Sequence, residues 1–117
     1  MKQFVVKQQY MAAYADPIRF DAGEVVEVQR ADAEYPGWYW CRTQSGKEGW
    51  VHRAFLHATT GLTHAVRAYS ALELSAHPGQ RGESIEHLDG WLYVRLDDGR
   101  TGWLPVSHVS PVSGPEA

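Results

Sequence analysis

Only one cysteine, Cys41, stands in this chain. That excludes an intrachain disulfide and a thiolate metal cluster, and it gives no sign of an oxidising compartment. No apolar run approaches the roughly 18 residues of a membrane span. The opening MKQFVVKQQYM carries a lysine but no apolar core of signal-peptide length and no small-residue cleavage site. A cytoplasmic protein away from the membrane is the expectation. Basic charge is scarce as well: Lys and Arg balance Asp and Glu at 7 and 7 through residue 58, then fall to 4 against 7, for a net charge of −3. No basic stripe is left to follow a phosphate backbone, so nucleic acid is not an expected partner. Also missing are a P-loop, a dinucleotide fingerprint, a Gly-x-Ser-x-Gly elbow and any HExxH-like spacing among the six histidines. Nothing in the sequence therefore assigns a catalytic residue, a metal or a cofactor.

What the chain does have is aromatic side chains, 12% of residues with five tryptophans, arranged in a repeated pattern. From Asp89 to Val109, period-two alternation puts Leu92, Val94 and Leu96 on one face and Trp91, Tyr93 and Arg95 on the other. Asp98-Gly99 can take the positive φ angles of a tight hairpin turn, after which Thr101, Gly102, Trp103 and Leu104 run back. Pro105 has no N–H to give and ends the ladder. The same layout stands earlier: Trp38, Gly49 and Trp50 recur as Trp91, Gly102 and Trp103 at a constant offset of 53 residues. Self-similarity at that spacing predicts two copies of one small unit.

Taken in order, Phe4 to Tyr10 reads as a strand and is followed by an irregular stretch through Pro17. Ile18-Arg19-Phe20 returns to the core, and Val26 and Val28 face inward. Arg53 to Leu56 has room for one helical turn and a closing strand. No segment holds a helical period, and turn signals come every eight to twelve residues, so a small all-β barrel or sandwich is expected. His57 to Gly61 is the linker, about five residues and ~17 Å at full extension, which predicts a fixed tandem.

With both copies laid out, the chain resembles the Src homology 3 (SH3) domain, and more closely the divergent tandem SH3 modules of bacterial proteins. The first copy offers Tyr10, Ile18-Arg19-Phe20, Gly23-Glu24, Gly37-Trp38-Tyr39 and Gly49-Trp50 through Leu56. The second offers Ala65 to Tyr69, Glu73-Leu74-Ser75, Gly90-Trp91-Leu92 and Gly102-Trp103-Leu104-Pro105 through Val109. The resemblance implies two five-stranded SH3-like barrels in tandem, at 1–57 and 62–110, with a linker at 58–61 and a flexible tail at 111–117.

It also implies a non-enzymatic module that binds a protein or an extended peptide, proline-rich in the family, through aromatic grooves. By position, one groove would be Tyr69, Trp91, Trp103 and Pro105, with His108 in place of the usual tyrosine. The other would be Tyr10, Trp38, Trp50 and Phe55, with His52 in place of the proline. Gln8 and Arg67 replace the first tyrosine of the family's ALYDY-like motif. Alternative readings are a glycan-binding cell-wall repeat, or a scaffold whose aromatic faces are buried between the barrels. Gly82 and Ser84 stand where the family buries aliphatic side chains, which predicts a bulge near Gly82 that turns Ile85 inward. Cys41, on the same face as Tyr39, reads as a core residue.

Overall fold

Short period-two segments broken by polar turns give a helix no continuous stripe to bury, and no α-helix forms among the described residues. The computed structural model describes residues 2–13 and 16–112. Among them eleven strands run in chain order: β1 (Lys2–Val6), β2 (Arg19–Phe20), β3 (Val25–Ala31), β4 (Trp38–Thr43), β5 (Glu48–His52), β6 (Gly61–His64), β7 (Tyr69–Ser70), β8 (Arg81–Leu88), β9 (Trp91–Leu96), β10 (Thr101–Pro105) and β11 (Val109–Val112). Single 3-10 turns, Arg53–Phe55 and Val106–His108, follow β5 and β10. Among the described residues no helix is long and apolar enough to cross a membrane.

The chain divides into two compact units, but not at the expected linker. The first unit joins Met1–Ala15 to Glu73–Ala117, and the second is Asp16–Leu72. In place of sequential bodies at 1–57 and 62–110, each unit takes its opening strand from the other repeat. The first unit is an antiparallel sheet in the order β10-β9-β8-β1-β11. The second has a sheet in the order β5-β4-β3-β6 and a separate β2–β7 pair. The segment 58–61, expected to separate two bodies, lies inside the second unit, where the Leu56–Ala65 bridge closes a hairpin around it.

The alternation read from the sequence sets the faces. In the first unit Phe4, Val6, Leu74, Ala76, Val94, Leu96, Leu104 and Val109 form the core, with Tyr10 and Leu92 packed against it. In the second, Ile18, Val26, Cys41 and Val51 are fully enclosed. Burying a side chain such as Phe4 stabilises by ~1.5–3 kcal/mol. The turn chemistry divides differently from expectation. Asp89 and Gly90, at φ 37° and 95°, supply the pair of positive angles between β8 and β9. At the β9–β10 turn Gly99 alone is positive, at 96°.

The bulge in β8 is present, between Ser84 and Glu86. Ile85 nevertheless stays 43% exposed. The space left by Gly82 is filled by Phe4, which faces it in register: a Cβ on Gly82 would stand 3.0 Å from Phe4 Cζ and 2.4 Å from the Arg95 carbonyl oxygen. The expected inward turn of Ile85 is thus replaced by an aromatic ring arriving from β1. The end of the chain is corrected too. Pro111 and Val112 belong to β11, opposite Phe4 and Gln3, and only 113–117 of the predicted tail lie outside the described residues. Pro105 and Pro111 sit on the two edge strands of this sheet, where a missing N–H breaks no internal ladder.

Candidate functional site

In the first unit, Trp91 opens β9 and faces Pro105 at the end of β10. The 3-10 turn after Pro105 brings His108 round, and the Lys7 N–H donates to the His108 carbonyl at 2.9 Å, laying the segment after β1 beside that turn. Two backbone hydrogen bonds between Tyr10 and Ala76 then fix the segment, at 3.0 and 2.9 Å. The Tyr10 ring is held edge-on to two neighbours, 5.3 Å from His108 and 6.0 Å from Trp91. Such edge-to-face spacings are favourable beyond simple area burial. Tyr10, Trp91 and His108 are each only half-buried. Pro105, paired with Trp91, is buried. At one margin the Tyr10 hydroxyl donates to Glu73 Oε1, and at the other Ser107 Oγ and His108 Nδ1 are 2.8 Å apart.

Trp103 is only 4% exposed, because the chain at Glu73–Leu74 pairs along it and its carbonyl accepts from the Leu74 N–H at 3.0 Å. It therefore supports Tyr93, at 5.2 Å between rings, and does not line an open surface.

In the second unit four of the aromatic positions are closed, and Trp50 is half-buried. Trp38 meets His52 at 5.1 Å, and Tyr69 meets Phe55 at 4.4 Å. All four are buried, at 5%, 4%, 4% and 7% exposure in the order Trp38, His52, Phe55, Tyr69. The Tyr69 hydroxyl donates to the Trp50 carbonyl at 2.8 Å, and the Arg67 guanidinium lies over the Phe55 ring at 4.2 Å. His52 Nδ1 accepts from the Ala54 N–H at 3.1 Å and caps the 3-10 turn, a structural task. Trp40 and Trp50 stack edge-on at 5.1 Å on the outward face of β4 and β5, with Arg30 over both.

The structure thus regroups the nine residues predicted from sequence. Tyr10 joins Trp91, Pro105 and His108, and Tyr69 joins Phe55 and the Trp50 carbonyl. Expectation had put each tyrosine with the other set. The cause is the exchange of opening strands, since each tyrosine travels with the strand before it. Glu73 entered the sequence reading only as part of Glu73-Leu74-Ser75; its bond to Tyr10 was not visible there. Cys41 is fully enclosed, and burial pushes its thiol up to about 12 from an ordinary 9.0, far from a nucleophile's range. Among the described residues no three His, Cys, Asp or Glu side chains converge as a metal site requires.

Residues 4–57 match the variant SH3 domain. No curated protein and no solved structure matches the chain. The SH3-like stretch begins in β1 and ends after β5, so it takes residues from both compact units. SH3-like domains are in general non-catalytic protein-interaction modules.

Proposed function

We propose that this chain is a non-enzymatic protein-binding module built of two SH3-like units, and that it works through one groove, not two. The observation that carries this reading is the contrast in exposure. Tyr10, Trp91 and His108 are half-buried rings gathered at one place, while Trp38, His52, Phe55 and Tyr69 are closed and leave only Trp50 of the second set half-buried. The preferred ligand is an extended, proline-rich segment of a protein, which is already ordered before it docks and loses little entropy on binding. Its rings would lie between Tyr10 and Trp91 and between Tyr10 and His108. Glu73, at the margin of the cluster, and the net charge of −3 favour a ligand that carries Lys or Arg beside its prolines.

Titration of the protein with a panel of proline-rich peptides, with and without flanking arginine, tests the reading through Trp fluorescence. A response is expected that is lost in Trp91→Ala and retained in Trp50→Phe. Silence across the panel, or a response that survives Trp91→Ala, removes it.

A further inference from the structure

Phe4 and Thr63 occupy equivalent places in the two units. Phe4 of β1 faces Gly82 of β8, which faces Leu96 of β9; Thr63 of β6 faces Val26 of β3, which faces Thr43 of β4. Both rows are buried across their sheets, with Phe4 and Leu96 at 2% exposure, Thr63 at 6%, Thr43 at 4% and Val26 at 0%. In each row the incoming side chain complements what it meets. The large ring meets a glycine, and the small hydroxyl meets a valine. A second level repeats the balance: Val6 faces Val109 in the first unit, while the smaller Ala65 faces the larger Leu56 in the second.

Sequential closure would reverse these matches. Phe4 would be driven against Val26, and Thr63 would be left over Gly82. The first arrangement overfills a close-packed row, and the second leaves a void beside Leu96, and both are destabilising. Sequential closure is a real competitor, because residues 4–57 read as one contiguous domain. Its strands also offer the same inward alternation, so burial pattern alone does not decide between the two.

We propose that these side-chain volumes assign the opening strands, committing β1 to the slot opposite Gly82 and β6 to the slot opposite Val26. The exchange is then a property written into this chain, and neither repeat is an autonomous domain. The groove that holds Tyr10 against Trp91 exists only because of that assignment.

Cross-linking in the full chain tests it. Val5 faces Arg81, and His64 faces Val25 at the equivalent place, so Val5 would face Val25 if β1 lay on β3. These positions point away from the core, and Cys41 is buried. Val5→Cys with Arg81→Cys is expected to give an intrachain disulfide, and Val5→Cys with Val25→Cys is not. Introducing Phe4→Thr with Thr63→Phe exchanges the volumes and is expected to invert the ratio of the two cross-links. A Val5–Val25 link in the native background overturns the proposal. So does an unchanged ratio after the volume exchange, or a Val5–Arg81 link that migrates at the mass of a dimer. Should the doubly substituted chain not fold, the milder Phe4→Val carries the same test: the Val5–Val25 link is expected to rise above its native level, and no rise counts against the proposal.

Discussion

The Tyr10 hydroxyl donates to Glu73 Oε1 at 2.6 Å, although the two residues stand 63 positions apart. The Ala13 N–H reaches the same oxygen at 3.2 Å. One carboxylate oxygen thus ties the segment that follows β1 to the segment that leads into β8, at the margin of the open aromatic cluster.

Removing that hydroxyl tests how firmly the cluster is held. Tyr10→Phe keeps the ring and its edge contacts but leaves the carboxylate without a phenol donor. A bond from a neutral donor to a charged acceptor, partly exposed as this one is, contributes ~1–2 kcal/mol. A fall in unfolding midpoint of a few degrees is expected, and it should be largely absent when Glu73→Ala, which removes the acceptor, is already present. Additive losses in that double-mutant cycle would show that the two groups act independently.

Cys41 gives a pH-dependent prediction. The folded chain holds the thiol proton up to about pH 12, whereas the unfolded chain releases it near 9.0. A raised folded value stabilises the protonated state, so this contribution is intact below about pH 9 and is lost as pH rises toward about 12. Relative to Cys41→Val, which has no proton to lose, the native protein should lose stability across that window in urea titrations. A constant difference would contradict it. Thiol alkylation at neutral pH is likewise expected only after unfolding.

Two tryptophans that look alike in the sequence should behave oppositely. Trp38 is 5% exposed, and Trp38→Ala is expected to cost ~3–5 kcal/mol, the usual range for emptying an aromatic core position. Trp91 is half-buried at the open cluster, and Trp91→Ala should cost about 1 kcal/mol or less while abolishing the fluorescence response to peptide. Urea denaturation and titration on the same two variants separate the cases. Equal stability losses would deny that one cluster is closed and the other open.

Gly82 is held by the backbone it faces. A Cβ there meets the Arg95 carbonyl oxygen at 2.4 Å and the Leu96 Cα at 2.9 Å, both main-chain atoms that cannot rotate away. Gly82→Ala is expected to destabilise by ~1–3 kcal/mol. Shortening the facing ring with Phe4→Leu should not restore the loss, because the ring is the more distant neighbour at 3.0 Å. Recovery in the double variant would mean that the ring, and not the strand, sets the limit.

Much of the local structure was legible in the sequence. The Trp91–Leu96 hairpin, the inward set of Leu92, Val94 and Leu96, the single turn at Arg53–Phe55 and the buried Cys41 all follow from alternation and turn chemistry. Strand partners were not legible by the same means. A period of two says which side of a strand is buried but not which neighbour it lies against, and β1 and β6 present equivalent inward faces through Phe4-Val6 and Thr63-Ala65. The clue was the pair Gly82 and Ser84. Read within one repeat they look like a hole to be filled by Ile85, when the filler is Phe4 from the far end of the chain. The site inherited this ambiguity. Tyr10 and Tyr69 were each grouped with the aromatic residues of their own repeat, whereas each packs with those of the other. Trp103 was misplaced for another reason: its cover comes from Glu73–Leu74 through backbone pairing, which no side-chain pattern announces.

The path of β1 has a consequence for how the protein is made. Its Gln3 pairs with Val112, so β1 must wait for β11, made more than a hundred residues later, before that side of it is covered. All strands of the second unit are available once Leu72 has emerged, and that unit can close while translation continues. Phe4 and Val6, by contrast, stay uncovered until β8 to β11 have been synthesised. Nascent chains halted before β11 should therefore expose an apolar strand to chaperones.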